Sequence, residues 1–149
     1  MKRFLLGAVG VALNLPAMAA DVDYRKDIRP LWQAKCSTCH GADAPYLGDF
    51  KAEKEKFMAT MKGPRMDTYA DLLYFVAWAD TGAIMRRLDN GKSAADGKAG
   101  NMYQYLGAND AEREKNLAVF KAWVGEDAWT LKRRDAISKE ELMKIKAKY

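Results

Sequence analysis

CSTCH, residues 36–40, is the stretch whose reading decides everything else. It contains both cysteines of the 149-residue chain and its single histidine. Several chemistries use such a cluster. A structural zinc ion needs about four ligands arranged around it, and here three crowd five residues with no further Cys or His available. A thioredoxin-type C-x-x-C needs a βαβ setting, which the helical pattern around it does not offer. A Cys36–Cys39 disulfide leaves His40 without a task. Covalent haem attachment uses all three residues. Two thiols at i and i+3 add across the vinyl groups of a haem, and the next residue, His40, lies under the iron as proximal ligand. One motif implies one haem c, with Cys36 and Cys39 both used in thioethers and no disulfide left to brace the fold.

The N-terminus agrees with that reading. MKRFLLGAVGVALNLPAMAA, residues 1–20, starts basic at Lys2 and Arg3 and continues with an apolar run from Phe4 to Leu15. It ends in small residues, Ala17 and Ala19, at A-x-A spacing. This is the pattern of a secretory signal peptide, cleaved near residue 19–20. The apolar run is too short to span a bilayer, so no membrane span is expected in the mature chain. Haem attachment of this type takes place on the export side, so a periplasmic protein is expected. The full chain carries 25 basic and 20 acidic residues, net +5. Loss of Lys2 and Arg3 leaves 23 against 20, net +3, with the two signs interleaved. Such a balance does not point to a nucleic-acid partner.

Between residues 21 and 149 helix signals are frequent and strand signals weak, so the fold class expected is all-α. The first helix is expected over Ile28–Cys36, with Asp27 as cap and Pro30 in the first turn. A second, amphipathic helix is expected over Asp49–Met61, with Phe50, Phe57, Met58 and Met61 on its apolar side, stopped by Gly63-Pro64. TYADLLYFVAWA, residues 68–79, is apolar nearly all round and reads as a buried helix. Asn109, with Glu112 three residues on, caps a helix that Gly125 ends. Ser138 and Glu141 form a capping box for a last helix reaching about Lys148. Three segments are expected: the leader at 1–20, a haem domain at 21–125, and an extension at 126–149 with a short helix.

With His40 used on the proximal side, no histidine remains for the distal side. The sixth ligand must be Met, Lys, Tyr, a terminal amine, water or nothing. A thioether stabilises ferrous iron and raises the potential. The methionines after the leader are Met58, Met61, Met66, Met85, Met102 and Met143. Met85 follows the apolar helix, and Met102 lies in the Gly-rich loop KAGNMYQYLG ahead of Asn109. Candidate pocket residues are Trp32, Leu47, Tyr69, Leu72, Leu73, Trp78, Tyr103 and Leu106. Arg65, Arg86 and Arg87 are candidates to pair with haem propionates.

Over most of residues 22–125 the chain resembles the class I c-type cytochromes. In that family C-x-x-C-H closes the first helix, a loop just before the terminal helix brings the distal Met, and the terminal helix packs across the first. The resemblance therefore implies Met102 as distal iron ligand, with Met85 the alternative. It also implies a role for PYLG, residues 45–48. Pro45 would offer its carbonyl to the His40 ring N–H and Leu47 would line the pocket, although Pro45 is closer to the motif than is usual. In detail the chain is similar to periplasmic monohaem cytochromes of metal- and electrode-respiring bacteria, the cathode-associated type called PccH. The tail after Gly125 departs from the class I pattern. The function implied by the resemblance is that of a monomeric one-electron carrier, not an enzyme, that docks transiently with other periplasmic redox proteins. The alternatives are a haem protein with an open distal side, for gas sensing or peroxide reduction, and a redox subunit of a larger respiratory enzyme.

Overall fold

The computed structural model describes residues 21–149, and the leader expected at 1–20 lies outside the described residues. A π-helical turn, Tyr24–Ile28, runs directly into α1, Arg29–Lys35. Then come α2 (Ser37–His40), α3 (Leu47–Ala52), α4 (Lys54–Ala59), α5 (Tyr69–Val76), α6 (Ala83–Leu88), α7 (Asp110–Val124) and α8 (Lys139–Leu142). A 3₁₀ turn at Tyr103–Leu106 precedes α7, and two more lie in the tail. No strand occurs among the described residues, and the all-α expectation holds. No helix among them is long and apolar enough to cross a membrane.

The first helix starts earlier than its sequence suggests. Asp23, not Asp27, is the cap: its carboxylate accepts the Lys26 N–H at 2.8 Å, while the Asp27 carboxylate accepts the Asp23 N–H at 2.9 Å. Pro30 stands just inside α1, where a missing N–H is tolerated. The expected helix over Asp49–Met61 is two short ones, broken at Glu53 (φ −125°, ψ 41°). Its charged run leaves no continuous apolar face to hold one long helix against the core. The rings of Phe50 and Phe57 pack together at 6.4 Å, but Met58 and Met61 are 58% and 69% exposed. The helix expected to be buried throughout, α5, ends at Val76. It turns Leu72, Phe75 and Val76 inward and leaves Tyr74 outside.

Helix α7 has the bounds its signals imply. Asn109 Oδ1 accepts the Glu112 N–H at 2.9 Å, and Gly125 ends the helix at a φ of +105°. The core runs through Ile28, Leu72, Val76, Met85, Leu106, Leu117, Phe120, Trp123 and Val124, all nearly sealed from solvent. The terminal helix meets the first turn through Tyr24 and Trp123, whose ring centres are 6.4 Å apart. Lys35, at the end of α1, bonds Glu112 at the start of α7 at 2.6 Å. The first and terminal helices are thus joined at both ends.

Helix α8 carries both halves of its capping box but stops at Leu142, short of the expected Lys148. The chain beyond it uses its backbone elsewhere. Lys146 and Ala147 donate N–H groups to the carbonyls of Val124 and Trp123, each at 2.9 Å. The Lys148 carbonyl accepts from the Tyr24 N–H at 2.9 Å and from Trp123 Nε1 at 2.8 Å. The Tyr69 hydroxyl donates to the Ala147 carbonyl at 2.8 Å. These bonds give the backbone groups along the seam the partners that burial demands.

Candidate functional site

CSTCH begins where α1 ends. Cys36 occupies the junction between α1 and α2, and its N–H still bonds the Trp32 carbonyl at 2.8 Å. The Cys39 and His40 N–H groups return to the Cys36 carbonyl at 3.2 and 3.0 Å. One helical turn therefore sets the two thiols and the imidazole on a common scaffold. Both cysteines are unbridged and partly buried. Burial, with a smaller push from the neighbouring Cys39, raises the Cys36 thiol to about 12, so it is held as S–H.

A segment from further along the chain clamps this turn. Residues 62–66, KGPRM, run back beside it. The Gly63 N–H donates to the Cys39 carbonyl and the Met66 N–H to the His40 carbonyl, each at 2.9 Å. Lys62 Nζ reaches the Thr38 carbonyl at 2.9 Å and the Asp43 carboxylate at 2.6 Å. The carbonyl oxygen of Pro64 stands 2.7 Å from His40 Nδ1. A carbonyl can only accept, so the ring proton sits on Nδ1 and the Nε2 lone pair is free. Burial lowers the His40 pKa and the Pro64 bond offsets part of that drop. The neutral imidazole, with a fixed tautomer, is the form that binds a metal. The approach is close enough to require glycine: a Cβ at Gly63 would lie 2.3 Å from His40 Cε1.

This geometry corrects the role expected for Pro45. The carbonyl facing His40 belongs to Pro64, while the Pro45 carbonyl accepts the Arg65 N–H at 2.8 Å. Pro45 therefore supports the clamp rather than the ring. Leu47 begins α3 and packs, partly buried, against the core. Trp78 is 58% exposed, with the Arg134 guanidinium 3.7 Å above its ring. It borders an open groove with Tyr69, Leu73, Leu142 and Ile145, and no CSTCH residue lines that groove. Trp32, Leu72 and Leu106 are sealed in the core, and Tyr69, Leu73 and Tyr103 sit partly buried against it.

The arginines expected near propionates are engaged elsewhere. Arg65 forms a two-pronged pair with Asp67. Arg86 binds Asp80 at 3.1 Å and the Lys132 carbonyl at 2.6 Å, and Arg87 bonds Asn101 at 2.8 Å.

The two methionine candidates occupy different environments. Met85 lies inside α6 with 0% exposure. Met102 caps the turn Tyr103–Leu106 and is half-buried against the core. Its N–H donates to the Arg87 carbonyl at 2.9 Å, so the two segments are tied together. Gly100 permits this contact, because a Cβ there would lie 2.3 Å from the Arg87 carbonyl oxygen. The following Tyr103 hydroxyl donates to Glu114 of α7 at 2.8 Å, and Asn90 donates to the same carboxylate, also at 2.8 Å. None of these tethers is visible in a sequence motif, because each joins residues distant along the chain.

The donor set fits covalent haem. Two unbridged thiols lie one turn apart, followed by an imidazole whose Nδ1 is occupied and whose Nε2 is available. It does not suit a structural zinc: no cluster of three His, Cys, Asp or Glu side chains converges among the described residues.

Comparisons with known proteins agree with the motif. No curated protein matches the chain. Among solved structures, monoheme cytochrome PccH from Geobacter sulfurreducens is 56% identical and superposes with a TM-score of 0.80, and the match covers 86% of this chain and 98% of that one. The family model described as PccH cytochrome c matches residues 23–149, from the first cap to the last residue. The chain belongs to the PccH cytochrome c family.

Proposed function

We propose that the protein is a periplasmic monohaem electron carrier with His/Met ligation, exported by the leader at residues 1–20. The observation that carries the reading is the His40–Pro64 contact inside CSTCH and its clamp. Cys36 and Cys39 would hold one haem c through thioethers, His40 would bind the iron through Nε2, and Met102 would bind on the opposite side. The bound haem supplies the one-electron chemistry.

The chain's own part is to hold, orient and shield. The Pro64 carbonyl fixes the His40 ring and strengthens its donation. The clamp at 62–66 keeps α2 in place. Two features support Met102 over Met85. Its half-buried thioether sits on a loop tied to α6 and α7, whereas Met85 is enclosed by core side chains. A thioether on the iron raises the potential, and the apolar surroundings tune it further. Filled ligation on both sides suits outer-sphere electron exchange, not substrate binding. Partners would then be other periplasmic redox proteins meeting the monomer through small, short-lived interfaces. The segment 21–125 supplies all named ligands, and 126–149 is the extension.

Intact mass and absorption spectra test this reading together. The expected mass is the chain less its first 19 or 20 residues, plus one haem. The oxidised protein should be low-spin with a weak sulfur-to-iron band at the red end of the spectrum. Free or mutually bridged cysteines would end the haem assignment. A high-spin ferric spectrum that shifts with little cyanide would replace the carrier by a protein with an open distal side.

A further inference from the structure

The tail after Gly125 reaches back to the loop that presents Met102, and one buried carboxylate makes the connection. Asp89, at the end of α6, is 1% exposed. Its Oδ1 accepts the N–H groups of Gly91 at 2.8 Å and Ser93 at 3.3 Å. Its backbone carbonyl accepts the Gly100 N–H at 2.8 Å. The residue therefore ties down both ends of the 90–100 loop, two residues short of Met102. Its second carboxylate oxygen, Oδ2, accepts from Trp129 Nε1 at 2.9 Å. Trp129 belongs to the tail, packs against the core, and has Lys121 Nζ 5.4 Å above its ring. The tail grips α6 a second time through its Lys132 carbonyl, which accepts from Arg86 at 2.6 Å.

The physical consequence follows from burial. A carboxylate sealed from water is stable only when each oxygen has a donor. Trp129 supplies the donor for Oδ2, leaving Oδ1 free to organise the loop. Without that N–H, Asp89 must turn toward another donor or water, and its turn would release Gly91 and Ser93. We propose that Trp129, acting through Asp89, is a positioning residue for residues 89–103 and so for the distal methionine. The inference rests on Met102 as the distal ligand. It assigns the extension a task that the C-x-x-C-H motif does not imply: holding in place the loop that carries Met102.

The experiment uses haem-loaded full-length protein. Trp129→Phe keeps most of the ring and removes the N–H. Residue-resolved hydrogen exchange should show the amides of Gly91, Ser93, Gly100 and Met102 exchanging about tenfold faster, as for the loss of one buried hydrogen bond. The amides of Phe120 and Trp123 in α7 should not change. Imidazole should bind the ferric iron about tenfold more tightly, because it competes with a loosened ligand. Trp129→His, which retains a ring N–H, should recover part of the protection. Unchanged loop amides overturn the proposal, and so does an equal acceleration in α7. Faster loop amides without tighter imidazole binding overturn the link to the iron. Should Trp129→Phe not fold, Asp89→Asn is read by the same amides with the same criteria. Met102→Ala runs in parallel. If it leaves the sulfur-to-iron band in place, the ligand assignment falls, while the amide comparison still decides whether Trp129 holds the loop.

Discussion

Single residues carry the chemistry, and the reach of each determined whether the sequence revealed it. Cys36, Cys39 and His40 were legible because their geometry is local: one helical turn sets all three. The partner of the His40 ring was not, because Pro64 lies 24 residues away and faces the ring only once the clamp has folded. Pro45 looked equally suitable by type. It misleads because it belongs to the same clamp, receiving the Arg65 N–H next door to the bond that matters. The clamp gives a sharp prediction. In Gly63→Ala the new methyl group would meet the His40 ring at 2.3 Å, so strap and ring must separate. Loss of a bond to a ligating histidine costs about 10- to 100-fold in metal affinity or activity. The yield of haem-loaded protein should fall by about tenfold or more, as read from haem absorbance per mole of exported chain. In molecules that do mature, His40 becomes a weaker donor and the potential should rise. With Met102 as the proposed distal ligand, Met102→Ala should move the potential the other way. Loss of the thioether should lower it by on the order of 100 mV, because ferrous iron loses its preferred ligand. Redox titration with the sulfur-to-iron band measures both effects. A lost band in Met85→Ala, with the band kept in Met102→Ala, would transfer the ligand to α6.

At the scale of elements, the caps of α7 and α8 were readable, the first cap was misplaced from Asp23 to Asp27, and interruptions were not readable. Asn109 and Ser138 each accept the backbone N–H that their spacing implies, because a cap depends on three or four consecutive residues. The break at Glu53, the early end of α8 and the outward turn of Trp78 depend on what lies across the fold. Propensity cannot report that. The bond between the first and terminal helices shows the same division. Glu112 was read as the second half of a cap, yet its carboxylate bonds the Ala108 N–H at 2.7 Å and Lys35 at 2.6 Å. The Lys35 hydrogen bond, with help from the Ala108 N–H, holds the Glu112 carboxyl below its ordinary range. A carboxyl depressed in the folded state adds stability that is fully present above its unfolded pKa, about 4.3. That contribution fades as pH falls through the lower, folded value. Thermal unfolding should therefore show the wild type losing stability below about pH 4, with a shallower loss in Glu112→Gln. Equal slopes in the two proteins would show that this pair does not join α1 to α7 in solution.

For the whole molecule, the question is whether the tail is an appendage or part of the fold. Its sequence reads only as an extension beyond the class I pattern, with a polar last helix and a narrow apolar stripe. Its backbone argues otherwise, because the final residues close the seam between the first turn, α5 and α7. Lys148 alone serves two groups through its carbonyl, the Tyr24 N–H and Trp123 Nε1. Trp123 is fully buried, so its N–H depends on that carbonyl. The size of this dependence can be measured in two steps. Trp123→Phe removes the N–H and some volume, while Lys148 keeps the Tyr24 bond. It should lower Tm by about 3–8 °C, as for a cost of about 1–2 kcal/mol. Deleting residues 126–149 is harsher. It strips partners from Trp123 Nε1, the Tyr24 N–H and Asp89 Oδ2 together, and uncovers the core beside Ala128 and Ala147. At about 1–3 kcal/mol for each orphaned group, the loss approaches the roughly 5–15 kcal/mol total of an ordinary domain. The truncated chain should still carry haem on CSTCH where it is recovered, because neither the motif nor its clamp bonds the tail. It should accumulate poorly and unfold at a temperature far below the wild type, followed by circular dichroism and haem absorbance on the same sample. A truncated protein with wild-type Tm would show that residues 21–125 fold without the tail, and that the backbone seam contributes little in solution.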